Sequence, residues 1–180
     1  ADMIQKGIGG KVVRFHVLAN SDSEADQTLK LAVRDRVLQE YGDLLETCTS
    51  KEETLAALKN AQQEISETAE AEVLAQGYTY PVRVSLVREE FPFKKYGDLI
   101  FPAGDALRIE IGEAKGKNWW CVLYPQMCYV DAAWGYSTEE SHVRLQNTLT
   151  KEEFLVVSAM EQKKVTPKIK CRLVELWSER

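Results

Sequence analysis

The hydrophobic pattern of the sequence changes its period near residue 80, and this change limits the possible folds more than any other feature. From about residue 23 to residue 76, apolar residues recur every three or four positions, as on one face of a helix. In Val82–Leu86 and Leu107–Ile111 they alternate with polar residues instead. Alternation favours antiparallel strands with one face in water. The sequence therefore predicts an α+β fold, with a mainly antiparallel sheet and an N-terminal helical hairpin packed on one face.

The first strand is predicted at Lys11–Leu18, where β-branched and aromatic residues alternate with Arg14 and His16. The two polar residues are expected on the face of the strand that meets water. Ser21 follows the strand and, with Glu24 three positions later, matches the capping box that begins a helix. The helical hairpin is therefore expected to begin just after this turn.

Other short signals predict the course of the hairpin. Asp26 and Lys30 are spaced for an i,i+4 ion pair on the first helix. Gly42 is expected to end or bend that helix, and Ser50–Glu53 matches a second capping box. Gly77 is expected to close the second helix in the left-handed conformation, which glycine adopts without steric cost.

Turn signals divide the region after the hairpin into strands at hairpin spacing, and the simplest arrangement is a meander; the turns lie at 96–98, 102–105 and 113–116. The stretch 132–167 is the least regular, with a short helix expected from Thr150 to Met160. The segment Lys168–Trp177 is expected to be a closing strand.

Composition limits the class of protein. With 180 residues and 44% apolar content, the chain is expected to form one α+β domain over residues 11–180, preceded by a flexible N-terminal remnant over residues 1–10. The net charge of -5 argues against a nucleic-acid partner, which needs a basic surface. No apolar run approaches the roughly 20 residues that cross a bilayer, although a signal peptide or anchor could have preceded residue 1.

The densest chemical cluster is NWWCVLYPQMC, at residues 118–128. Cys121 could act as a nucleophile with one of two histidines, but His16 lies on a strand and His142 in a polar helical stretch. Cys121 and Cys128 have six residues between them, whereas structural zinc ligands come in pairs about two to four residues apart. The strand-to-helix turn at 20–23 also has no glycine to cradle a phosphate. No catalytic residue, metal or cofactor is predicted.

Two states of this cysteine pair fit the sequence. If Tyr124 and Pro125 form a two-residue turn, Cys121 lies directly opposite Cys128 across a hairpin, at about 5.5 Å between Cα atoms. A disulfide spans that distance. The alternative is a pair of buried free thiols in a reducing compartment. The spacing alone does not choose between them.

Several segments resemble the stage II sporulation protein R family of endospore-forming bacteria: RFHVLANSDSEADQTLKLAVRD (14–35), FPFKKYGDLIFPAG with ALRIEIG (91–112), NWWCVLYPQMCYVD (118–131) and KIKCRLVELW (168–177). The resemblance implies a non-enzymatic signalling protein, secreted from the forespore into the space between the forespore and mother-cell membranes. Its implied partner is a membrane-embedded aspartic protease of the mother-cell membrane, which cleaves the precursor of sigma factor E. The turn at 102–106 is shorter than in the family, and fewer glycines precede Asn118.

Export to an oxidising space, as the resemblance implies, favours a disulfide between Cys121 and Cys128. The rival hypothesis is an extracytoplasmic hydrolase of cell-wall or peptide material that uses Cys121 as its nucleophile. A third possibility is a carbohydrate-binding module that stacks sugar rings on exposed tryptophans.

Two groups of residues are candidates for binding the partner. Trp119 and Trp120 qualify because aromatic residues are enriched in binding hot spots. Adjacent residues of a strand face opposite ways, so at least one of the two is expected in the core. Asn20, Ser21 and Asp22 form the second candidate group, although capping of the following helix would also explain them.

Overall fold

The computed structural model describes residues 2–89, 94–96, 99–101, 104–128 and 139–162. These residues form helices and strands, which confirms the predicted α+β class. The helices are α1 (Asp2–Gly9), α2 (Glu24–Glu46), α3 (Lys51–Asn60), α4 (Gln62–Ala75), α5 (Glu139–Thr148) and α6 (Lys151–Gln162). The strands are β1 (Val13–Leu18), β2 (Val82–Glu89), β3 (Lys94–Tyr96), β4 (Leu99–Phe101), β5 (Gly104–Ile111) and β6 (Asn118–Tyr124). The expected closing strand at 168–177 lies outside the described residues.

The main sheet has four strands in the order β2-β5-β1-β6, and β3 pairs with β4 in a separate two-stranded sheet. β1 is parallel to β5, whereas the pairs β1–β6, β2–β5 and β3–β4 are antiparallel. The sheet is therefore mixed, with mostly antiparallel pairs. The predicted meander is wrong, because β1 lies between β5 and β6. Strand β1 is buried on both faces, which suits the central position.

Helices α2, α3 and α4 cover one face of the sheet, as predicted for the helical hairpin. Its second arm is divided into α3 and α4 at Ala61. Gly42 was expected to end or bend the first helix, and it does not end it, since α2 continues to Glu46. Tyr41 and Leu45 flank that glycine and are buried in the core. Their burial outweighs the cost of about 1 kcal/mol for glycine inside a helix.

One of the two predicted capping boxes is displaced. The N-cap of α2 is Ser23 rather than Ser21, and its hydroxyl accepts a hydrogen bond of 3.2 Å from the N–H of Asp26. Ser21 does not cap the helix because its hydroxyl donates to the Asp26 carboxylate instead. The second cap is confirmed, since the Ser50 hydroxyl accepts from the N–H of Glu53 at 3.1 Å.

The remaining caps follow the sequence closely. Gly77 has a φ of 88°, as expected for a left-handed helix end. The N–H of Tyr78 donates to the carbonyl of Val73, which completes a Schellman motif. Thr150 and Glu153 form a reciprocal capping box: each backbone N–H donates to the other side chain, at 3.2 Å and 2.8 Å. Helix α6 therefore begins where it was expected.

The second face of the sheet is not wet at its centre, contrary to the expectation from alternation. Arg14 and His16 point to this face and are 1% and 0% exposed. A second apolar cluster covers it, formed by residues of β6, of the helices α1, α5 and α6 and of the segments that adjoin them; it contains Ile8, Val12, Val122, Met127, Leu145, Leu149 and Val157. The prediction failed because helices distant in sequence pack on this face. None of the described helices is long and apolar enough to cross a membrane.

The N-terminal segment, expected to be a flexible remnant over residues 1–10, contains a helix. Residues 2–9 form α1, which packs against α6, and Ile8 is fully buried. Lys11 forms an ion pair of 2.6 Å with Glu153 at the start of α6, and the ammonium group of Lys51 donates to the carbonyl of Gly9 at 3.0 Å. The division into a flexible remnant over residues 1–10 and a single domain over 11–180 stays a prediction.

Candidate functional site

The two groups of candidate binding residues lie at the same end of the sheet. Asn20, Ser21 and Asp22 follow the C-terminal end of β1, after Leu18. Strand β6 begins beside that end, where Asn118 pairs with Leu18 and Trp119 pairs with Val17. The sequence predicted the two groups separately, and the antiparallel pairing of β1 with β6 brings them together.

The turn at 20–22 is bound to the loop between β5 and β6, at residues 112–117. The side-chain oxygen of Asn20 accepts from the N–H of Glu113 at 2.9 Å, and its carbonyl accepts from the N–H of Lys115 at 3.2 Å. The carboxylate of Asp22 accepts from the N–H of Lys117 at 2.7 Å. We call this set of contacts the turn clamp. Because the loop contributes backbone groups, the turn residues fix the shape of the loop.

Two glycines allow the loop to approach the turn this closely. Gly112 has a φ of 59°, and a Cβ atom there would collide with the side chain of Asn20. A Cβ atom on Gly116 would collide with the backbone carbonyl of Ser21. A residue with a side chain at either position would therefore push the loop away from the turn.

Asp26 is a buried carboxylate that binds two residues of the turn at 20–22. It is 4% exposed, and its carboxylate accepts hydrogen bonds from the hydroxyl of Ser21 at 2.5 Å and from the amide of Asn20 at 2.9 Å. The nearby hydroxyl of Tyr80 also favours the charged form of the carboxylate. These bonds, with that of Ser21 the strongest, lower the pKa of Asp26 although burial acts in the opposite direction. Asn20 and Ser21 thus also hold a buried charge.

Sequence reasoning missed this role of Asp26. The predicted ion pair with Lys30 is not formed: the ammonium of Lys30 donates instead to the side chain of Gln27 at 2.5 Å and to the carbonyl of Lys117 at 3.0 Å. Burial lowers the pKa of Lys30. The available signal was the position of Asp26 three residues before Leu29 on the apolar stripe of α2, where a carboxylate must find donors.

The tryptophans lie on opposite faces of β6, as predicted for adjacent strand residues. Trp119 contacts Phe15 edge to face at 5.8 Å, and the guanidinium of Arg34 lies 4.8 Å from the centre of its ring. Trp120 stacks on His16 at 6.2 Å and packs against the second apolar cluster. Both rings are half-buried and both have intramolecular neighbours, so only part of each is available to a partner.

The structure contains the disulfide between Cys121 and Cys128, with 5.4 Å between their Cα atoms. Both residues are buried. The predicted register is also present in part, because the N–H of Met127 donates to the carbonyl of Val122 at 3.1 Å. The predicted hairpin is replaced by a turn, since no strand follows β6 within the described residues up to 128. Cys48 is a buried free thiol.

The loop closed by the disulfide contacts the end of α2 and the middle of α5. The side-chain amide of Gln126 donates to the carbonyls of Leu45 and Cys48, at 3.0 Å each. Its backbone carbonyl accepts from Arg144 of α5 at 2.8 Å. The hydroxyl of Tyr124 donates to a carbonyl just after α2. The disulfide therefore braces a junction between helices on both faces of the sheet.

The arrangement has no nucleophile of the kind that was considered. The sulfur of Cys121 is bonded to another sulfur, and Nδ1 of His16 is bonded to the amide of Asn118 at 2.7 Å. His142 lies on α5, beside the ring of Phe154. In the part of the chain that the structure describes, no three His, Cys, Asp or Glu side chains are grouped to hold a metal ion.

The fixed loop, the half-buried aromatic rings and the bracing disulfide belong to a protein of the α+β class. The family model that matches the chain is stage II sporulation protein R, over residues 9–134, which include every candidate binding residue and both cysteines of the disulfide. The chain is also similar to stage II sporulation protein R of Bacillus subtilis (strain 168), with 32% identity over 184 residues, 96% of this chain and 82% of that protein. No solved structure matches. The chain belongs to the stage II sporulation protein R family, a family of sporulation proteins that is not known as an enzyme family.

Proposed function

We propose that this protein is a secreted sporulation signal that activates a membrane-embedded aspartic protease in the mother-cell membrane. The activated protease then cleaves the precursor of sigma factor E. The observation that carries the proposal is the similarity to the Bacillus subtilis protein along nearly the whole chain. The disulfide supports the location, in the space between the forespore and mother-cell membranes, because such bonds persist in oxidising compartments.

Activation requires only that the protein bind the active state of the protease more tightly than the inactive state. The end of the sheet that carries the turn clamp suits such binding. Asp22 is exposed there, and the clamp holds the exposed residues Lys115 and Lys117 in place. Trp119 lies beside them on β6. A surface that is fixed before binding loses less conformational entropy when the partner arrives.

The two rival functions lack a supporting observation. A hydrolase needs Cys121 as an accessible thiolate, whereas this residue is 1% exposed and its sulfur is bonded to Cys128. A carbohydrate-binding module needs open aromatic faces. The face of Trp119 is covered by Arg34, and Trp120 is stacked on His16.

The proposal is tested in a Bacillus subtilis strain that lacks its own stage II sporulation protein R. The protein is produced in the forespore with and without a generic export signal, and processing of the sigma factor E precursor is followed by immunoblot. We expect processing only with export. The charge reversal Lys117→Glu should reduce it, whereas Lys151→Glu, an exposed change at the start of α6, should not. Equal processing of the retained and exported protein would refute the proposal.

A further inference from the structure

A cavity of about 320 Å³ lies between α3 and the adjoining ends of β2 and β5, away from the turn clamp. Its volume falls at the lower end of the range for ligand sites, about 300 to 1,000 Å³. Leu55 and Ala56 of α3 and Leu86 of β2 give it an apolar wall. Lys59, Arg88 and Asp105 also line it and supply its charges. The cavity therefore combines an aliphatic surface with charged groups.

The charges of the cavity are unbalanced. The negative charge of Asp105 is balanced by Lys51, whose ammonium group lies 2.5 Å from the carboxylate and whose side chain is 9% exposed. Arg88 is 64% exposed and 3.8 Å from the same carboxylate, too far for a strong hydrogen bond. Lys59 is exposed and forms no ion pair among the described residues. Two cations are thus left at the rim, on a chain whose net charge is -5.

The acidic residues in the first turn of α3 form no ion pair with Lys59 or Arg88. Glu52 and Glu53 lie in the first turn of the helix, and Lys59 lies in its last turn. Their charges act on Tyr124, on the far strand β6, whose pKa is raised first by burial and then by Glu52 and Glu53. The rim of the cavity at the end of α3 is therefore locally positive.

We propose that this cavity binds a peptide segment of a partner protein in which carboxylate side chains alternate with aliphatic ones. The carboxylates pair with Lys59 and Arg88, while an aliphatic side chain packs on Leu55 and Leu86. The apolar wall favours such a peptide over a bare polyanion, because an ion without apolar groups leaves the aliphatic surface exposed to water. The proposal does not depend on the identity of the partner.

Binding is measured by fluorescence polarisation with two labelled probe peptides, ELDLEL and EGDGEG, which have the same charge. We expect ELDLEL to bind about tenfold more tightly or better, since burial of one leucine contributes at least this much. Equal affinity of the two peptides, or no measurable binding of ELDLEL, would overturn the proposal. Equal affinity would mean that only charge is recognised.

Variants with matched controls locate the site. Lys59→Glu should weaken binding of ELDLEL about fivefold or more. Arg83→Glu makes the same charge change on β2, on the face opposite to that of Leu86, and should not weaken binding. Ala56→Trp fills the cavity from an exposed helix position, and Ala71→Trp is its control on the exposed surface of α4. Circular dichroism checks folding of each variant. The proposal fails if either control weakens binding as much as its partner, or if Ala56→Trp leaves binding unchanged.

Discussion

Removal of the disulfide should show that Cys121 and Cys128 act as one unit. The changes are Cys121→Ala, Cys128→Ala and the double substitution. Each single substitution already breaks the bond, so the second substitution removes only a small buried side chain. If Cys121 were a nucleophile and Cys128 an unrelated residue, Cys121→Ala would abolish activity whereas Cys128→Ala would have little effect.

The magnitude follows from the length of the closed loop. The bond joins residues seven positions apart, which closes a loop of eight residues. The chain-entropy relation gives about 2.5 kcal/mol for a loop of that length. With a urea m-value of about 2 kcal/mol/M, the unfolding midpoint should fall by about 1.2 M. The corresponding fall in melting temperature is about 5 to 10 °C.

The assay is urea unfolding followed by circular dichroism, with and without dithiothreitol. The reductant should lower the midpoint of the wild type and of Cys48→Ala equally, because Cys48 is a free thiol outside the loop. It should not change the midpoint of the double variant. The reasoning is refuted if the two single substitutions differ by more than about 1 kcal/mol, or if the reductant has no effect on the wild type.

Two further predictions concern the turn clamp and the helix caps. Asp26→Asn should cost about 1 to 3 kcal/mol at neutral pH, because an amide does not accept all the bonds of the carboxylate. The folded-state pKa of Asp26 is lowered, so its contribution is present above the unfolded-state pKa and is lost as pH falls through the folded value. Acid unfolding of Asp26→Asn should therefore depend less on pH below about pH 4, and equal slopes would contradict this. Gly77→Ala should cost about 1 kcal/mol from its positive φ alone, and Gly112→Ala should cost more because it also collides with Asn20; a smaller loss at Gly112 in thermal unfolding would contradict the clamp.

Local signals in the sequence predicted the local structure well. The caps at Ser50 and Thr150 and the left-handed turn at Gly77 depend on residues three or four positions apart, and all three are present. The alternation in β5 also predicted its buried face correctly. Such features are fixed by backbone geometry and nearby side chains, so they can be predicted without knowledge of the tertiary structure.

The arrangement of distant segments could not be predicted in the same way. Arg14 and His16 have the polarity of a wet face but are buried, because α1, α5 and α6 cover the centre of the sheet. The position of β1 between β5 and β6 also depends on pairing across about 90 residues or more. The alternation of apolar and polar residues along a strand indicates which residues share a face of the sheet. It does not indicate which other elements pack on that face.

The candidate site was predicted in part. Asn20, Ser21 and Asp22 were chosen for their polar side chains, but the buried carboxylate that binds two of them was taken for half of a surface ion pair. Opposition of Cys121 and Cys128 could be derived from their spacing, since it needs only a turn at Tyr124. Predicting the environment of Asp26 also requires the position of Tyr80, which approaches the carboxylate in the folded protein although it follows the helical hairpin in the sequence.

The central claim is tested most directly by reconstitution with purified components. The oxidised protein is added to the extracytoplasmic face of membrane vesicles that carry the aspartic protease and the sigma factor E precursor, and the size of the precursor is followed by immunoblot. The account predicts that the shorter product accumulates with the folded, oxidised protein and not with heat-unfolded protein. If the precursor stays at full length with the folded protein, or is cleaved equally without it, the proposed activation is contradicted.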